Sequence, residues 1–285
     1  PLLGSPTGGN VAVPPSRMQR LREIWAYRTL IANLAQRELR AKYKKSVLGW
    51  GWSLISPAAT LGVYTLVFGV YLKAVPPTMA NGMANFALYL FAALIVWNGF
   101  SNVVNGSMGS LVDSGGLLSK IYFPPECPLI AGVIASLLQV AIESAILVAV
   151  MIVIGNVSWT FVWLPVIVVE TMAFALGLGM IASLYNIIYR DVSYLVGIGM
   201  QILFYGTPIV YQLTDVPEKI GGIPVRAIVE LSPLTQYTIQ SRQVTYLLEF
   251  PTLRQVGYTF VVSLITLVFG WWVFARRAAD VIEEI

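Results

Sequence analysis

Long apolar blocks separated by short polar connections dominate the chain. Six stretches, approximately 53–73, 86–108, 129–154, 161–186, 194–213 and 256–275, are apolar throughout. Each is about the 20 residues that a helix needs to cross roughly 30 Å of hydrocarbon. The pattern predicts an all-α membrane protein with six transmembrane helices.

A different period precedes the first block. Over residues 21–45, Leu21, Ile24, Trp25, Ile31, Leu34, Ala35 and Leu39 recur at steps of three and four, with basic residues between them. This predicts an amphipathic helix at the headgroup level, whether as a simple anchor or as a docking element. Residues 1–16 are uncharged apart from any terminal amine and rich in Pro, Gly and Ser. They read as a flexible tail reaching to about residue 20, rather than a cleaved signal peptide.

Two connections carry more than turn residues. In the first, about 109–128, Leu117, Leu118 and Ile121 would share one face of a short cytoplasmic helix. That face must either meet a partner or fold back on its own helices. In the second, about 214–255, Pro217, Gly221, Gly222, Pro224 and Pro233 interrupt apolar runs too short to span. Over 214–250 these runs suit re-entrant half-helices, which need protein around them, although an ordinary loop also fits.

Composition agrees with a lipid solvent. Of 285 residues 57% are hydrophobic and 11% charged, with a mean hydropathy of +0.74, against about 25% charged in a soluble domain. There is no histidine and one cysteine, Cys127. An intrachain disulfide, Ser-His-Asp chemistry and the commonest zinc ligand are therefore excluded. No G-x-x-x-x-G-K-[ST] string occurs, so ATP-driven work would have to come from another chain.

Orientation follows from the basic residues. Nine of the 18 precede the first span: Arg17, Arg20, Arg22, Arg28, Arg37, Arg40, Lys42, Lys44 and Lys45. With both termini cytoplasmic, thirteen lie inside, and Lys73, Lys219, Arg226, Arg242 and Arg254 lie outside. The positive-inside rule selects that arrangement.

Within the spans, Glu143 and Glu170 are candidates either for hydrogen bonds between helices or for proton transfer. Tyr64, Phe68 and Tyr71 share a face of the first span, and Phe86, Tyr89, Trp97 and Phe100 nearly share one on the second. Phe204, Tyr205 and Tyr211 group similarly along the fifth. Such stripes serve interhelix packing or stack on sugar rings. Cytoplasmic Asp113, Glu126 and Asp191 are scattered without metal-binding spacing, which argues against an embedded enzyme.

Four strings fall in the order and spacing of a known family. Residues 37–59 read RELRAKYKKSVLGWGWSLISPAA, 117–130 read LLSKIYFPPECPLI, and 185–196 read YNIIYRDVSYLV. TPIVYQLTDVP at 207–217 and ELSPLTQYTIQSRQ at 230–243 make up the fourth. From about residue 20 onward the chain resembles the permease subunits of type-2 ABC exporters of O-antigen, capsule, teichoic acid and mycobacterial galactan. Gln240 and Gln243, beside the family's usual arginine at 242, depart from its pattern.

The resemblance implies a homodimer in the bacterial inner membrane with two copies of a separate ABC ATPase. That partner would hold ATP and Mg, and this chain would bind no cofactor and no nucleic acid. Leu117, Leu118, Lys120, Ile121, Tyr122, Arg190 and Asp191 would couple to the ATPase through a helix over 114–123. Arg37, Arg40, Lys42, Lys44 and Lys45 would attract the diphosphate of a polyisoprenoid-linked glycan, although positive-inside bias also explains them. Tyr64, Phe68, Tyr71, Phe86, Tyr89, Trp97, Phe204, Tyr205 and Tyr211 would line the glycan channel. Arginine outnumbers lysine 12 to 6, which points to a high-GC bacterium and a galactan-type cargo. The rival reading is a proton-coupled transporter that uses Glu143 and Glu170.

Overall fold

The computed structural model describes residues 17–43, 49–118, 120–189 and 191–282. Among them regular structure is almost wholly helical. Two amphipathic helices, α1 (Arg17–Ala26) and α2 (Arg28–Tyr43), come first. Next are α3 (Trp52–Tyr64), α4 (Phe86–Leu118), α5 (Glu126–Val153), α6 (Leu164–Ile188) and α7 (Val192–Gly206). Two short helices, α8 (Val225–Leu231) and α9 (Pro233–Arg242), precede the last, α10 (Leu253–Ile282).

Among the described residues four helical stretches are long and apolar enough to cross a membrane: Phe86–Leu117, Glu126–Val153, Trp159–Ile188 and Leu253–Ala278. The expected first and fifth spans are shorter, at Ile55–Tyr71 and Val192–Gly206. The first keeps its length only by running on from α3 into a π-helical stretch, Thr65–Tyr71. The fifth stops early because Pro208 disfavours helical backbone at the residue before it, and Thr207 is extended at φ −93°, ψ 136°. Pro233 acts likewise: Ser232 is extended, which divides α8 from α9, and the proline becomes the first residue of α9.

The long helices form the body. α6 packs along both α4 and α10, and α5 lies against α4. Glycines permit the closest approaches. A β-carbon at Gly177 would overlap the backbone of Thr266, and one at Gly270 would overlap the backbone of Gly177. On the other side of α6, a β-carbon at Gly179 would stand 2.8 Å from Ser107 Cβ. In hydrocarbon, where burial of apolar surface gives little drive, such backbone-to-backbone packing is what holds helices together.

Three expectations change. The amphipathic segment begins at Arg17, inside the stretch read as tail, and is two helices separated by Tyr27. The Tyr27 N–H is shared between the carbonyls of Glu23 and Ile24, a local tightening that divides them. Of the segment expected as a separate helix over 114–123, the part as far as Leu118 is instead the end of α4, and Lys120 and Ile121 lie in a turn and bend. At 33 residues α4 is about 50 Å long, so it extends beyond a hydrocarbon core of roughly 30 Å.

Candidate functional site

The candidate surfaces lie at the two ends of the bundle and along one side. At the end marked by the start of α5, α2 turns Ile31, Leu34 and Ala35 onto Phe123, Cys127 and Ala131, with Tyr27, Leu30 and Leu117 alongside. The apolar face of α2 therefore rests on protein, where the sequence had suggested headgroups. Tyr27 Oη donates to the Tyr122 carbonyl at 3.3 Å. Glu38 packs over Gly132, where a β-carbon would stand in ordinary contact with the carboxylate, 3.5 Å from Oε2. Burial raises the Glu38 carboxyl above its ordinary range; Arg37 opposes that shift and Asp113 adds to it.

One buried acid ties three helices together. Arg20 Nη1 lies 3.8 Å from Glu126 Oε1 at the start of α5 and donates to the Ala275 carbonyl of α10 at 2.8 Å. Trp271 Nε1 donates to the same carboxylate oxygen at 3.4 Å. Sequence reasoning gave Glu126 no such part. Its signal was an acid at the N-terminal end of a long apolar helix, where the dipole also favours it.

Leu117 is half-buried against the α2 seam, whereas Lys120 is exposed and Ile121 and Tyr122 are 58% and 76% exposed. Asp191 is exposed immediately before α7. Leu118 is the last residue of α4; Arg190 lies outside the described residues. Of the basic cluster, Arg37 and Arg40 are exposed on α2 and Lys42 is in its last turn, while Lys44 and Lys45 lie outside the described residues.

The opposite end is closed by polar side chains. α9 continues into a π-helical turn, Gln243–Leu247, and from Leu234 to Tyr246 most residues are buried. Arg242, 4% exposed, donates from Nε to the Tyr89 carbonyl at 3.1 Å and from Nη1 to the Pro208 carbonyl at 2.6 Å. Its Nη2 donates to the Ile209 carbonyl, and its guanidinium carbon stands 3.7 Å from the centroid of the Tyr89 ring. Among the described residues no carboxylate forms an ion pair with it. The cation is held by carbonyl dipoles and a π face, which joins α4, the segment after α7, and α9.

The turn beyond Arg242 is bonded just as closely. Asn156 Nδ2 donates to the carbonyls of Thr245 and Tyr246 at 3.3 and 3.1 Å, and Thr160 Oγ1 to that of Val244 at 2.7 Å. Ser241 Oγ donates to the Ala92 carbonyl at 2.7 Å. Tyr246 Oη donates to the Pro77 carbonyl at 2.9 Å and accepts from the Asn85 N–H at 3.0 Å. From the sequence, Arg242 is an external cation and, by resemblance, the family's usual arginine near the end of the re-entrant segment, with no partner assigned. The signal passed over was a lone cation flanked by residues of helical, largely uncharged sequence.

Along the side, several aromatic residues meet. Tyr64 and Trp97 both contact Phe204, with centroids 5.7 and 5.2 Å away, and Tyr64 is 6.1 Å from Phe68. Phe68 stacks on Phe86 at 6.4 Å, and Phe204 meets Tyr205 edge-on at 5.2 Å. Phe86, Tyr89 and Phe204 are buried in the core of the subunit, whereas Tyr71 and Tyr205 are exposed. Tyr211 is half-buried, its hydroxyl donating to the Tyr205 carbonyl at 2.9 Å. Exposed apolar side chains continue along α7 at Tyr194, Leu195, Ile198 and Ile202, at Val63 of α3, and at Leu66 and Val70 of the π-helical stretch that follows it.

The two intramembrane acids have different surroundings. Glu143 of α5, 1% exposed, accepts from Asn98 Nδ2 of α4 at 3.1 Å and from Gln139 Nε2 at 3.2 Å. Glu170 of α6 lies beside Thr259 of α10, with its Oε2 buried and unbonded. The Asn98–Glu143 bond is the interhelix role. Among the described residues no cluster of His, Cys, Asp or Glu could hold a metal ion.

The sequence profile described as "ABC-2 type transporter" matches residues 29–246. The chain is 27% identical to the O-antigen export system permease protein RfbA of Myxococcus xanthus over 93% of its own length and 98% of that protein. A Klebsiella pneumoniae protein of the same name is also 27% identical, over 68% of this chain and 73% of its own. The polysialic acid transport protein KpsM of Escherichia coli is 23% identical over 69% and 76% of the two chains.

Proposed function

The chain belongs to the ABC-2 type transporter family, and from that premise we propose that it is the membrane subunit of an ATP-driven polysaccharide exporter. The cargo is a polyisoprenoid-diphosphate-linked glycan of the O-antigen or galactan class, moved from the cytoplasm to the outer face of the inner membrane. Relatives named for O-antigen export and polysialic acid transport support that class. Two copies of a separate ABC ATPase supply ATP and Mg.

The observation that carries this reading is the exposed Ile121–Tyr122 pair. It stands at the turn between α4 and α5, braced by α2 and by the Arg20–Glu126 contact. Apolar side chains displayed on a rigid mount, with Lys120 and Asp191 exposed, suit docking onto a partner protein. Movement there would pass directly into α4, α5 and α10.

Both termini are cytoplasmic in this proposal, and α3 and α7 complete six crossings. Their short length and exposed apolar faces suit a position against a second copy of the chain. Tyr64, Phe68, Trp97 and Tyr205 then line the route between the subunits, backed by the buried Phe204. The 214–250 region is re-entrant at the outer end. Arg37, Arg40, Lys42, Lys44 and Lys45 draw in the diphosphate.

Co-expression with its ATPase, purification through this subunit and an ATP-hydrolysis assay test the proposal. The wild-type chain retains an active ATPase. Ile121→Asp reduces the retained ATPase at least tenfold with little change in thermal stability, because the side chain is exposed. Failure of the wild type to retain an ATPase overturns the proposal.

A further inference from the structure

Between α8, the end of α9 and the start of α10 lies a cleft of about 500 Å³ that none of the roles above uses. Small-molecule sites occupy roughly 300–1,000 Å³. Its lining includes Glu230, Gln236, Gln243, Arg254, Gln255 and Tyr258. We propose that this cleft is a binding site for a sugar segment of the exported glycan as it leaves the subunit, an inference that rests on the exporter reading above.

The lining chemistry selects the ligand. Three primary amides provide donors and acceptors side by side, which matches hydroxyl groups that must both give and receive hydrogen bonds. Gln236 Nε2 is fixed by donation to the Glu230 carbonyl at 2.7 Å. Gln255 Oε1 is fixed by accepting from the Thr252 N–H and Oγ1, both at 2.9 Å. Amides held in place in advance bind without first losing rotamer freedom. The Tyr258 hydroxyl donates to the Leu231 carbonyl, which holds its ring in the wall as a face for sugar C–H groups.

Gln243 supplies the most specific signal. Its Oε1 is buried without a hydrogen-bond partner, an unmet acceptor of the kind that folded proteins avoid. A rotation of this side chain toward the cleft would let a ligand hydroxyl meet it. Glu230 and Arg254 bring opposite charges to the lining, so the cleft has no bias toward an anion. Gln243 also follows Arg242 directly, which places the cleft wall and the buried lock on consecutive residues.

The test uses the complete complex with its ATPase in nanodiscs and, as probe, the delipidated glycan released by mild acid from the same cells. Saturation-transfer NMR on the wild type gives transfer to sugar protons. Gln243→Leu with Gln255→Leu lowers the transfer at least fivefold and reduces surface glycan in cells by a similar factor, with unchanged ATPase retention. Should Gln243→Leu prevent folding, Gln255→Leu with Arg254→Ala, both at the start of α10, is read in the same way. No transfer with the wild type, or equal transfer with the variants, overturns the site. Deletion of the whole chain separates the two proposals. If deletion leaves surface glycan unchanged, the exporter reading itself falls. If deletion abolishes surface glycan while the cleft variants bind and export normally, only the cleft is wrong.

Discussion

The two ends of the bundle are closed by different physics. Where α2 meets α5, the seam is apolar: Ile31, Leu34 and Ala35 against Phe123, Cys127 and Ala131. Where α9 meets α4, the join is made by side-chain donors reaching backbone carbonyls, with Arg242 at the centre. An apolar seam weakens gradually as contact is lost. A buried cation among carbonyls is more nearly all-or-none, since its removal leaves several acceptors unmet at once. The first kind of closure suits a mount that transmits movement, and the second a part that must hold one position until it is released.

Substitutions at each end sharpen that contrast. Arg242→Met should have the largest effect, lowering stability by about 3–5 kcal/mol because the carbonyls of Tyr89, Pro208 and Ile209 lose their donors. Thermal unfolding in detergent would show it, and Arg242→Lys should recover little, since one ammonium cannot reproduce the planar fork. If Arg242→Lys unfolds like the wild type, the lock is not a lock.

Leu34→Ala should cost about 2–4 kcal/mol, confined to the docking of α2. Hydrogen exchange should then quicken in α2 and leave α9 unchanged. Faster exchange at both ends would mean that they do not open independently.

Glu38→Gln should have the smallest effect, neutral or slightly stabilising. Burial raises the folded carboxyl's pKa, so folding favours the protonated form. That stability is fully present below the unfolded pKa, about 4.3, and is lost as pH rises through the raised folded value. The glutamine variant should match the wild type at low pH and equal or exceed it at neutral pH. A clear loss at neutral pH would show that the charge itself is needed.

Much of this architecture was legible in the chain. The four long apolar helices follow from apolar runs that lipid requires to be helical, and the α2 face was visible in Ile31, Leu34 and Ala35. What escaped depended on distant backbone. The continuation of α4 through Gly115 and Gly116 to Leu118 runs against glycine's poor helix propensity, so those glycines suggested a break. The Arg242 partners are carbonyls, which every residue possesses, and no pattern of side chains points to Tyr89, Pro208 and Ile209. The stop at Gly206 was readable from Pro208, but continuing hydropathy through Ile209 and Val210 disguised it. In the candidate site the exposed Ile121 and Tyr122 were identifiable in advance. The connection of Arg20 to Glu126, Trp271 and Ala275 joins residues up to 255 positions apart and was not.

The crossing at Gly177 and Gly270 has a mechanical consequence. On either side of these glycines stand Leu176, Leu178, Phe269 and Trp271, so sliding one helix along the other by a single residue would drive a side chain into backbone. The pair is riveted at that point, and a push on the Arg20–Trp271 end cannot be absorbed as slippage. It must reappear as a swing of the far arm, where α10 carries Thr259 and Ser263 against Tyr237 of α9.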